Sequence, residues 1–211
     1  MKPHGGQRVE TAGPPLGEGA GLIVLVHGRN AGPENVLDLV PRLDRPAFGV
    51  AAPAAADRTW YPYSFMAEVP RNEPGISSGQ SVIGGLIQAA AEAGVPASRV
   101  VLMGFSQGAC LAAQFAIRHP ARYGGVVVFS GGLIGPAGTT WDVDGAFDGT
   151  PVFFGCSDVD THVPESRVRE SAEVFTRAGA DVDLRIYPGM GHLVNDDEIE
   201  AARAVLDRIE A

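Results

Sequence analysis

The chain has 211 residues, of which 45% are hydrophobic and 19% charged, a composition that supports a buried core within one domain and excludes intrinsic disorder. The 25 acidic residues outnumber the 16 basic ones, and the net charge of −9 argues against nucleic acid or an anionic membrane surface as a partner. Two cysteines are too few for a disulfide framework or a multi-thiolate metal site, so we expect Cys110 and Cys156 to be core residues of a cytoplasmic protein.

The beginning of the chain carries no pattern typical of a targeting segment. Its first 21 residues lack an apolar stretch of signal-peptide length, and the later apolar runs are no longer than strands. We therefore expect one domain over residues 1–211, with a partly irregular segment over residues 1–20 and no insertion into a membrane.

Five short apolar runs predict β-strands. The runs at residues 22–26 (LIVLV), 100–103 (VVLM), 125–129 (GVVVF) and 152–154 (VFF) are continuously apolar, which is typical of strands buried on both faces of a parallel sheet. Residues 182–187 (VDLRIY) alternate between apolar and polar side chains, which predicts an edge strand.

Helical periodicity appears between these strands and after the last one, at residues 34–43, 77–93, 107–119, 165–178 and 198–210. The alternation predicts an α/β fold with an open, mostly parallel sheet and helices on both faces. In such a sheet, ligands bind beyond the carboxyl ends of the strands. We therefore expect the functional residues in the loops that follow the strands.

Two long irregular stretches interrupt this pattern. Residues 57–74 carry Trp60 and two tyrosines, and residues 131–149 are rich in glycine and threonine and carry Trp141. Aromatic loops of this kind either wall an apolar pocket or anchor themselves on the core, and both interpretations stay open.

A candidate nucleophile, Ser106, lies in the G-x-S-x-G sequence of residues 104–108. Glycines two positions before and after the serine permit the tight strand-to-helix turn that exposes its hydroxyl. The motif follows the strand at 100–103 and opens the helix at 107–119, as such a turn requires. A second copy at residues 75–79 follows no strand, and we expect its serines to cap the next helix.

A serine hydroxyl needs a general base, and the chain contains five histidines. His192 follows the last strand in a glycine-rich loop, which brings it to the same edge of the sheet as Ser106. The other histidines are expected in different settings: a frayed N-terminus for His4, a strand end for His27, a helix end for His119 and a helix start for His162.

The carboxylate that orients the histidine is expected between Ser106 and His192 in the chain. The strand at 152–154 is followed by Asp158 and Asp160, and spacing alone does not separate them. The alternation of Asp158, Asp160 and His162 also suggests part of a metal site. Because the chain lacks a second ligand group with metal-type spacing, we expect no metal.

A developing oxyanion is stabilised by backbone N–H groups beside the nucleophile. The first buried strand ends in His27, Gly28 and Arg29, and the helix after the nucleophile begins at Gln107. The N–H groups of Arg29 and Gln107 are therefore the candidate donors. A glycine turn without a catalytic role is the alternative.

The chain contains five longer motifs: LVHGRN at 25–30, GFSQGA at 104–109, FSGGL at 129–133, DTHVP at 160–164 and GMGH at 189–192. Through these motifs the sequence resembles the phospholipase/carboxylesterase family of α/β-hydrolases, which also contains acyl-protein thioesterases. The resemblance implies an α/β-hydrolase fold without a large lid. It also implies a triad of Ser106, Asp160 and His192, although Thr161 stands where the family has a proline.

The resemblance further implies that the aromatic loop of residues 57–74 covers an acyl pocket, with Trp60, Tyr61 and Phe65 binding substrate. The implied activity is that of a serine carboxylesterase, which hydrolyses short- to medium-chain acyl esters through an acyl-serine intermediate and without a cofactor. Alternatives are an acyl-protein thioesterase, a lysophospholipase, a triglyceride lipase or a hydrolase-fold protein that only binds. For acyl-CoA, the acidic composition offers no evident clamp for phosphates. A homodimer stays open.

Overall fold

Seven strands form one sheet in the part of the chain that the computed structural model describes, residues 3–143 and 147–210. Among these strands only the pairing of β1 with β3 is antiparallel, and the order across the sheet is β1-β3-β2-β4-β5-β6-β7. The strands are β1 (Val9–Ala12), β2 (Gly21–Val26), β3 (Phe48–Pro53), β4 (Val100–Phe105), β5 (Gly125–Phe129), β6 (Pro151–Ser157) and β7 (Asp181–Tyr187). The predicted open, mostly parallel sheet is confirmed.

The central strands are buried because helices cover both faces of the sheet. Every residue of β2, β3, β5 and β6 is buried. Along β2, Leu22 and Val24 belong to the core on one face, and Ile23 and Leu25 belong to the core on the other. The continuous apolar runs in the sequence therefore correspond to strands with two buried faces.

Strands β1 and β3 are absent from the sequence-based prediction. β3 is buried, but its sequence FGVAAP consists mainly of small residues and proline, which are rare in strands. β1 has four residues that alternate in exposure, and it lies at one edge of the sheet. The predicted edge strand at 182–187 corresponds to β7, which lies at the opposite edge.

Six α-helices pack on the sheet within the described residues. Helices α3, α4 and α5 contribute to the core on one face, and α1, α2 and α6 to the core on the other. The single helix predicted at 34–43 is wrong, because the ring of Pro41 would clash with the carbonyl of Leu37 in a continuous helix. The helices are α1 (Pro33–Leu37), α2 (Val40–Leu43), α3 (Gly75–Glu92), α4 (Gln107–Arg118), α5 (Glu165–Arg177) and α6 (Asp196–Glu210).

The start of α3 differs from the prediction. The helix begins at Gly75, so Ser77 and Ser78 lie in its first turn and neither is the capping residue. The carboxylate of Glu73 accepts a hydrogen bond from the Ser77 N–H at 3.0 Å, and it thereby satisfies one of the free N–H groups of the helix start. Short 3₁₀ helices occur at Ala56–Arg58, Val69–Asn72 and Ala97–Arg99.

Three predicted segments include residues outside the described ranges. Met1 and Lys2 belong to the segment 1–20, residues 144–146 to the irregular stretch at 131–149, and Ala211 to the expected domain 1–211. Across residues 3–143 and 147–210, no helix is both long and apolar enough to cross a membrane.

Candidate active site

The loops that follow β4, β6 and β7 bring three polar side chains together at the carboxyl edge of the sheet. Ser106 directly follows β4, Asp160 follows β6 and His192 follows β7. The Nε2 atom of His192 lies 2.8 Å from Ser106 Oγ, and its Nδ1 atom lies 2.6 Å from Asp160 Oδ2. This geometry suits a nucleophile, a general base and a carboxylate that orients the base.

Ser106 occupies a strained turn between β4 and α4. Its backbone has φ 55° and ψ −121°, a conformation that residues other than glycine rarely adopt. The turn also requires close backbone contacts on both sides. A Cβ on Gly104 would lie 2.7 Å from Ala109 N, and one on Gly108 would clash with the carbonyl oxygen of Val26. Both glycines of the G-x-S-x-G sequence are therefore sterically required.

Asp160 is the carboxylate in contact with the imidazole. Its Oδ1 atom accepts hydrogen bonds from the N–H groups of His162 and Val163, at 2.8 and 3.0 Å. Burial by itself raises the pKa of this carboxyl, but the hydrogen bonds from His192 and the two backbone N–H groups outweigh burial and lower the pKa below its ordinary value. The side chain, which has no exposed surface, is therefore ionised at neutral pH.

Asp158, the alternative acid, contacts the backbone of the histidine loop and not the imidazole. Its Oδ1 atom accepts a hydrogen bond from the Gly189 N–H at 2.8 Å, and Ser157 Oγ accepts one from the Gly191 N–H at 3.0 Å. Both bonds hold the loop that carries His192. Sequence analysis assigned no role to Ser157, because a hydrogen bond between two loops leaves no signal in residue spacing.

Beyond His192 the chain enters α6 through a capping box. Asn195 Oδ1 accepts a hydrogen bond from the Glu198 N–H at 2.8 Å, and Glu198 Oε2 accepts one from the Asn195 N–H at 2.9 Å. Glu198 is fully buried, and its Oε1 atom has no hydrogen-bond partner among the described residues. Burial raises the pKa of this carboxyl to about 7. Sequence analysis missed the box, although an Asn followed three residues later by Glu is its signal.

Arg29 and Gln107, the candidate oxyanion donors, flank the nucleophile. Gln107 is the first residue of α4, so its N–H group has no acceptor within the helix. Gly28, which precedes Arg29, packs against the serine, and a Cβ placed on it would lie 3.4 Å from Ser106 Cβ. The backbone of both candidates therefore lies close to Ser106, and their role as donors stays a prediction.

The side chains of the same two residues hold the aromatic loop of residues 57–74. Gln107 Oε1 accepts a hydrogen bond from the Trp60 N–H at 2.9 Å, and Gln107 Nε2 donates to the Tyr61 carbonyl at 2.8 Å. The guanidinium of Arg29 donates to the next two carbonyl oxygens of the loop, at 2.7 and 2.6 Å. Sequence analysis predicted a role only for the backbone N–H groups of these two residues, as oxyanion donors, and missed the contacts of their side chains.

Of the three aromatic residues that the resemblance assigns to the pocket, Tyr61 and Phe65 line the cleft beside Ser106 and Trp60 does not. The indole of Trp60 is fully buried, and its Nε1 donates a hydrogen bond to the His27 carbonyl at 2.9 Å. Trp60 therefore anchors the loop on the core, which corrects the expectation that it binds substrate. This corresponds to the anchoring alternative that the sequence left open.

Trp141, in the second irregular stretch, also lies away from the cleft. The guanidinium of Arg167 lies over its ring, 5.4 Å from the centroid, and donates hydrogen bonds to the carbonyls of Leu133 and Gly135. Because Arg167 is itself buried, this arrangement fixes the described part of residues 131–149 on the protein body.

Two adjacent hollows meet at His192. We call the first, of about 620 Å³, the main cleft; it is lined by Ser106, Gln107, Tyr61, Phe65, Cys110 and Val163, among others. We call the second, of about 460 Å³, the side groove; it is lined by Val36, Leu39, Arg42, Arg58, Leu193 and Val194, among others. His192 and Phe105 line both, so the two hollows form one continuous surface around the imidazole.

His4 does not lie in a frayed N-terminus. It is buried, its Nδ1 accepts a hydrogen bond from the Ala56 N–H at 3.1 Å, and its Nε2 donates to the Trp60 carbonyl at 2.9 Å. Burial lowers the pKa of His4 and keeps the ring neutral. The prediction fails because polar composition near a chain end does not reveal such a long-range contact.

His162 also differs from its prediction, since it lies in the loop before α5 and lines the main cleft. Its ring centroid is 4.7 Å from that of His192. His27 directly follows β2, and His119 forms the C-cap of α4, so both are placed as predicted.

The cysteines are buried and unpaired, as predicted for core residues. Burial raises the pKa of the Cys110 thiol to about 11 and that of the Cys156 thiol to about 12. Among the residues that the structure describes, no group of three His, Cys, Asp or Glu side chains is arranged to hold a metal ion.

Comparison with known proteins relates the chain to hydrolases. A family model described as phospholipase/carboxylesterase matches residues 50–209. The solved phospholipase/carboxylesterase from Dyadobacter fermentans is 35% identical, with 97% of both chains covered and a TM-score of 0.89. Acyl-protein thioesterase 1 of Gibberella zeae is 33% identical over 141 residues, which cover 64% of this chain and 60% of that protein. The solved esterase PE8, at 22% identity and a TM-score of 0.77 over 96% of this chain and 99% of that one, has the same fold.

Proposed function

Because the chain belongs to the phospholipase/carboxylesterase family of α/β-hydrolases, we propose that it is a serine carboxylesterase that hydrolyses short- to medium-chain acyl esters. One observation carries the proposal: the contacts that run from Ser106 Oγ through the imidazole of His192 to Asp160, at 2.8 and 2.6 Å. The reaction transfers an acyl group to serine and then to water, and it needs no cofactor.

In the acylation step, Ser106 Oγ attacks the ester carbonyl while His192 Nε2 takes the hydroxyl proton. Asp160 keeps Nδ1–H of the imidazole in place and stabilises the imidazolium that forms. The N–H groups of Arg29 and Gln107 donate hydrogen bonds to the oxyanion. The proton then passes from Nε2 to the leaving oxygen as its bond to the acyl carbon breaks.

In the deacylation step, water replaces the alcohol and His192 again acts as base. The hydroxide oxygen bonds to the acyl carbon, and the bond between that carbon and Ser106 Oγ breaks. The proton returns from Nε2 to the serine, and the carboxylic acid leaves. The ordinary loss of the acid's own proton completes the cycle.

The main cleft is the proposed acyl site. Its volume of about 620 Å³ and the side chains of Tyr61, Phe65 and Val163 suit an apolar chain of limited length. The loop that contributes Tyr61 and Phe65 is hydrogen-bonded to Arg29 and Gln107, so the wall has a fixed position. This fixed wall supports a preference for short and medium chains.

A second candidate is hydrolysis of acyl thioesters. The similarity to acyl-protein thioesterase 1 favours it, although the chain spans only about 60% of the length of that relative. The same triad would cleave either bond, because the thiolate leaves more easily than an alkoxide and the acyl-serine is the same. The family description also names phospholipases, so phospholipid esters, lysophospholipids among them, are a related candidate substrate class.

The decisive experiment measures initial rates on p-nitrophenyl esters from acetate to palmitate beside matched acyl thioesters, with Ser106→Ala as the blank. We expect a maximum at short or medium oxygen esters that disappears in the blank. A preference for long acyl thioesters would instead support the thioesterase. If no substrate is turned over and a fluorophosphonate probe fails to label Ser106, the protein is a non-catalytic member of its family.

A further inference from the structure

The charged side chains that line the two hollows, apart from the histidines, are all arginines. Arg29 lines the main cleft, Arg42 and Arg58 line the side groove, and among the described residues no Asp or Glu lines either. This sign is opposite to that of the whole chain, whose net charge is −9. A cleft lined by one sign of charge raises the local concentration of ligands of the other sign.

The side groove adjoins the reaction centre at His192. His192 lines it, whereas Ser106 and Gln107 line only the main cleft. In the proposed mechanism the leaving oxygen must face His192 Nε2 to receive its proton. With the acyl chain in the main cleft, the remainder of the leaving group extends past His192 into the side groove.

The side groove combines an apolar surface with guanidinium groups. Val36, Leu39 and Val194 supply aliphatic side chains, and Arg42 and Arg58 supply positive charge. A site of this composition suits a molecule that has an apolar body and an anionic group.

Arg58 is held at the groove by a strained turn. Asp57 and Arg58 both have left-handed backbone conformations, with φ 51° and 57°. The Arg58 carbonyl accepts a hydrogen bond from the Asn30 N–H at 2.8 Å, which ties the turn to the segment after β2. Such conformations cost free energy in residues other than glycine and tend to persist at functional sites.

The ion pairs of the groove arginines are exposed to solvent. Arg58 lies 3.5 Å from Glu34 Oε1, and the two side chains are 59% and 47% exposed. Arg42 lies 2.9 Å from Asp196 Oδ1, and the Asp196 side chain is fully exposed. Exposed pairs of this kind are weak, so the guanidinium groups retain the capacity to bind another anion.

We propose that the side groove binds the leaving group of the substrate and that this leaving group carries a carboxylate or a phosphate on an apolar body. The proposal rests on the esterase function proposed above. It narrows the substrate class to esters of anionic alcohols, with Arg58 and Arg42 binding the anion and Val36, Leu39 and Val194 contacting the apolar part.

The test uses butyrate esters of nitrophenols that carry a carboxylate, a phosphonate or a neutral carboxamide ortho to the nitro group. The acyl group is the same in all three, so kcat/KM, corrected for the alkaline hydrolysis rate of each ester, reports on the leaving group. We expect an anionic preference of about tenfold that falls as ionic strength rises. If the carboxylate and phosphonate esters have equal corrected kcat/KM, the groove is a general anion site. If the phosphonate ester has the higher kcat/KM, the natural leaving group is a phosphorylated alcohol.

The double variant Arg42→Gln/Arg58→Gln removes both groove charges, and we expect the preference to fall by about tenfold, to near unity. Arg118→Gln/Arg122→Gln is the matched control, because it removes two charges from exposed positions outside both hollows, and it should keep the wild-type preference. The proposal would be overturned if the wild type hydrolysed the anionic and carboxamide esters with equal corrected kcat/KM. It would also be overturned if a folded double variant kept the wild-type ratio of these values. The wild-type comparison and its salt dependence decide the matter even if the double variant does not fold.

The carboxamide ester separates failure of this proposal from failure of the esterase function. If the wild type hydrolyses it and Ser106→Ala does not, the esterase function stands. The ratio of kcat/KM between the anionic esters and the carboxamide ester then tests the groove proposal alone. If neither the three esters nor the p-nitrophenyl series is hydrolysed, the esterase function fails and the groove proposal fails with it.

Discussion

At the scale of single residues, Ser106 combines a strained backbone with a reactive side chain. The left-handed turn exposes its hydroxyl at the edge of the sheet, where His192 Nε2 lies 2.8 Å away. The strain resides in the backbone and in the glycines around it, whereas the chemistry resides in the hydroxyl. Removal of the hydroxyl should therefore change the reaction and leave the fold in place.

Ser106→Ala and His192→Ala are each expected to lower kcat by about 10⁴-fold or more, because each removes a member of a unit that acts together. The unfolding temperature should stay close to that of the wild type. Steady-state kinetics and thermal unfolding measure the two effects. Wild-type turnover in either variant would contradict the triad.

Asp160→Asn and Asp158→Asn should separate the two acids. Asp160→Asn is expected to lower kcat by about 10⁴-fold, because an amide can donate a hydrogen bond to the imidazole and stabilise its wrong tautomer. Asp158→Asn keeps an oxygen acceptor for the Gly189 N–H and should retain most of the wild-type kcat. Kinetics of both variants with one p-nitrophenyl ester is the measurement, and equal losses would argue against the assignment.

Residue-scale features were predictable from the sequence where the chemistry constrains neighbouring positions. Ser106 could be found because its glycines and the strand before it are adjacent in the chain. Its partners lie in loops that are distant in the chain, and spacing alone left two candidates for the acid. Only the family pattern separated Asp160 from Asp158. Contacts such as that of Ser157 with the Gly191 N–H depend on how loops meet in space, and no local pattern encodes them.

At the scale of elements, the start of α6 connects the histidine loop to a buried carboxyl. Glu198 caps the helix through the Asn195 N–H, while its Oε1 atom has no partner in the described structure. A buried carboxyl in this setting favours its neutral form, and its pKa is raised from the ordinary 4.5 to about 7. Ionisation of Glu198 therefore opposes folding.

The sign of this effect predicts a pH dependence of stability. Because the folded-state pKa lies above the unfolded value, the free energy of unfolding falls as the pH rises from 4.5 to about 7, by up to about 3 kcal/mol. Glu198→Gln stays neutral, so its stability relative to wild type should increase over the same range. Urea unfolding from pH 5 to pH 8 measures the difference, with the exposed Glu200→Gln on the same helix as the control. Parallel curves for wild type and Glu198→Gln would contradict the prediction.

Element-scale predictions succeeded where hydrophobic patterns were strong. Continuous apolar runs marked β2, β4, β5 and β6, because two-sided burial requires them. β3 was missed because small residues, packed closely between neighbours, can occupy a buried strand without the usual β-branched signal. The break between α1 and α2 was missed because a periodic pattern passes through Pro41 although the backbone cannot.

At the scale of the whole molecule, the sheet separates two cores, and both cysteines belong to the same one. Cys110 lies on α4 and Cys156 on β6, so their burial depends on different elements of that core. We propose that residues 1–211 fold as a single domain, in which the two thiols become accessible together.

Thiol labelling tests this proposal. In the native protein, iodoacetamide should react slowly with Cys110 and Cys156, because both are buried and their raised pKa values leave little thiolate. In increasing urea, the two thiols should become labelled with the same midpoint, which mass spectrometry of the separate peptides can measure. Distinct midpoints would indicate units that unfold independently.

The wall of the main cleft has a consequence for emulsified substrates. Its loop is hydrogen-bonded to Gln107 and Arg29, and within the loop the Tyr63 N–H donates a hydrogen bond to the buried Asn72 at 2.9 Å. Because this loop already has a fixed position in aqueous solution, it does not act as a lid that an oil–water interface would open. Hydrolysis of tributyrin should therefore rise smoothly through the solubility limit of the ester, without the interfacial activation typical of lidded lipases, and a sharp rise at that limit would mean that the loop moves.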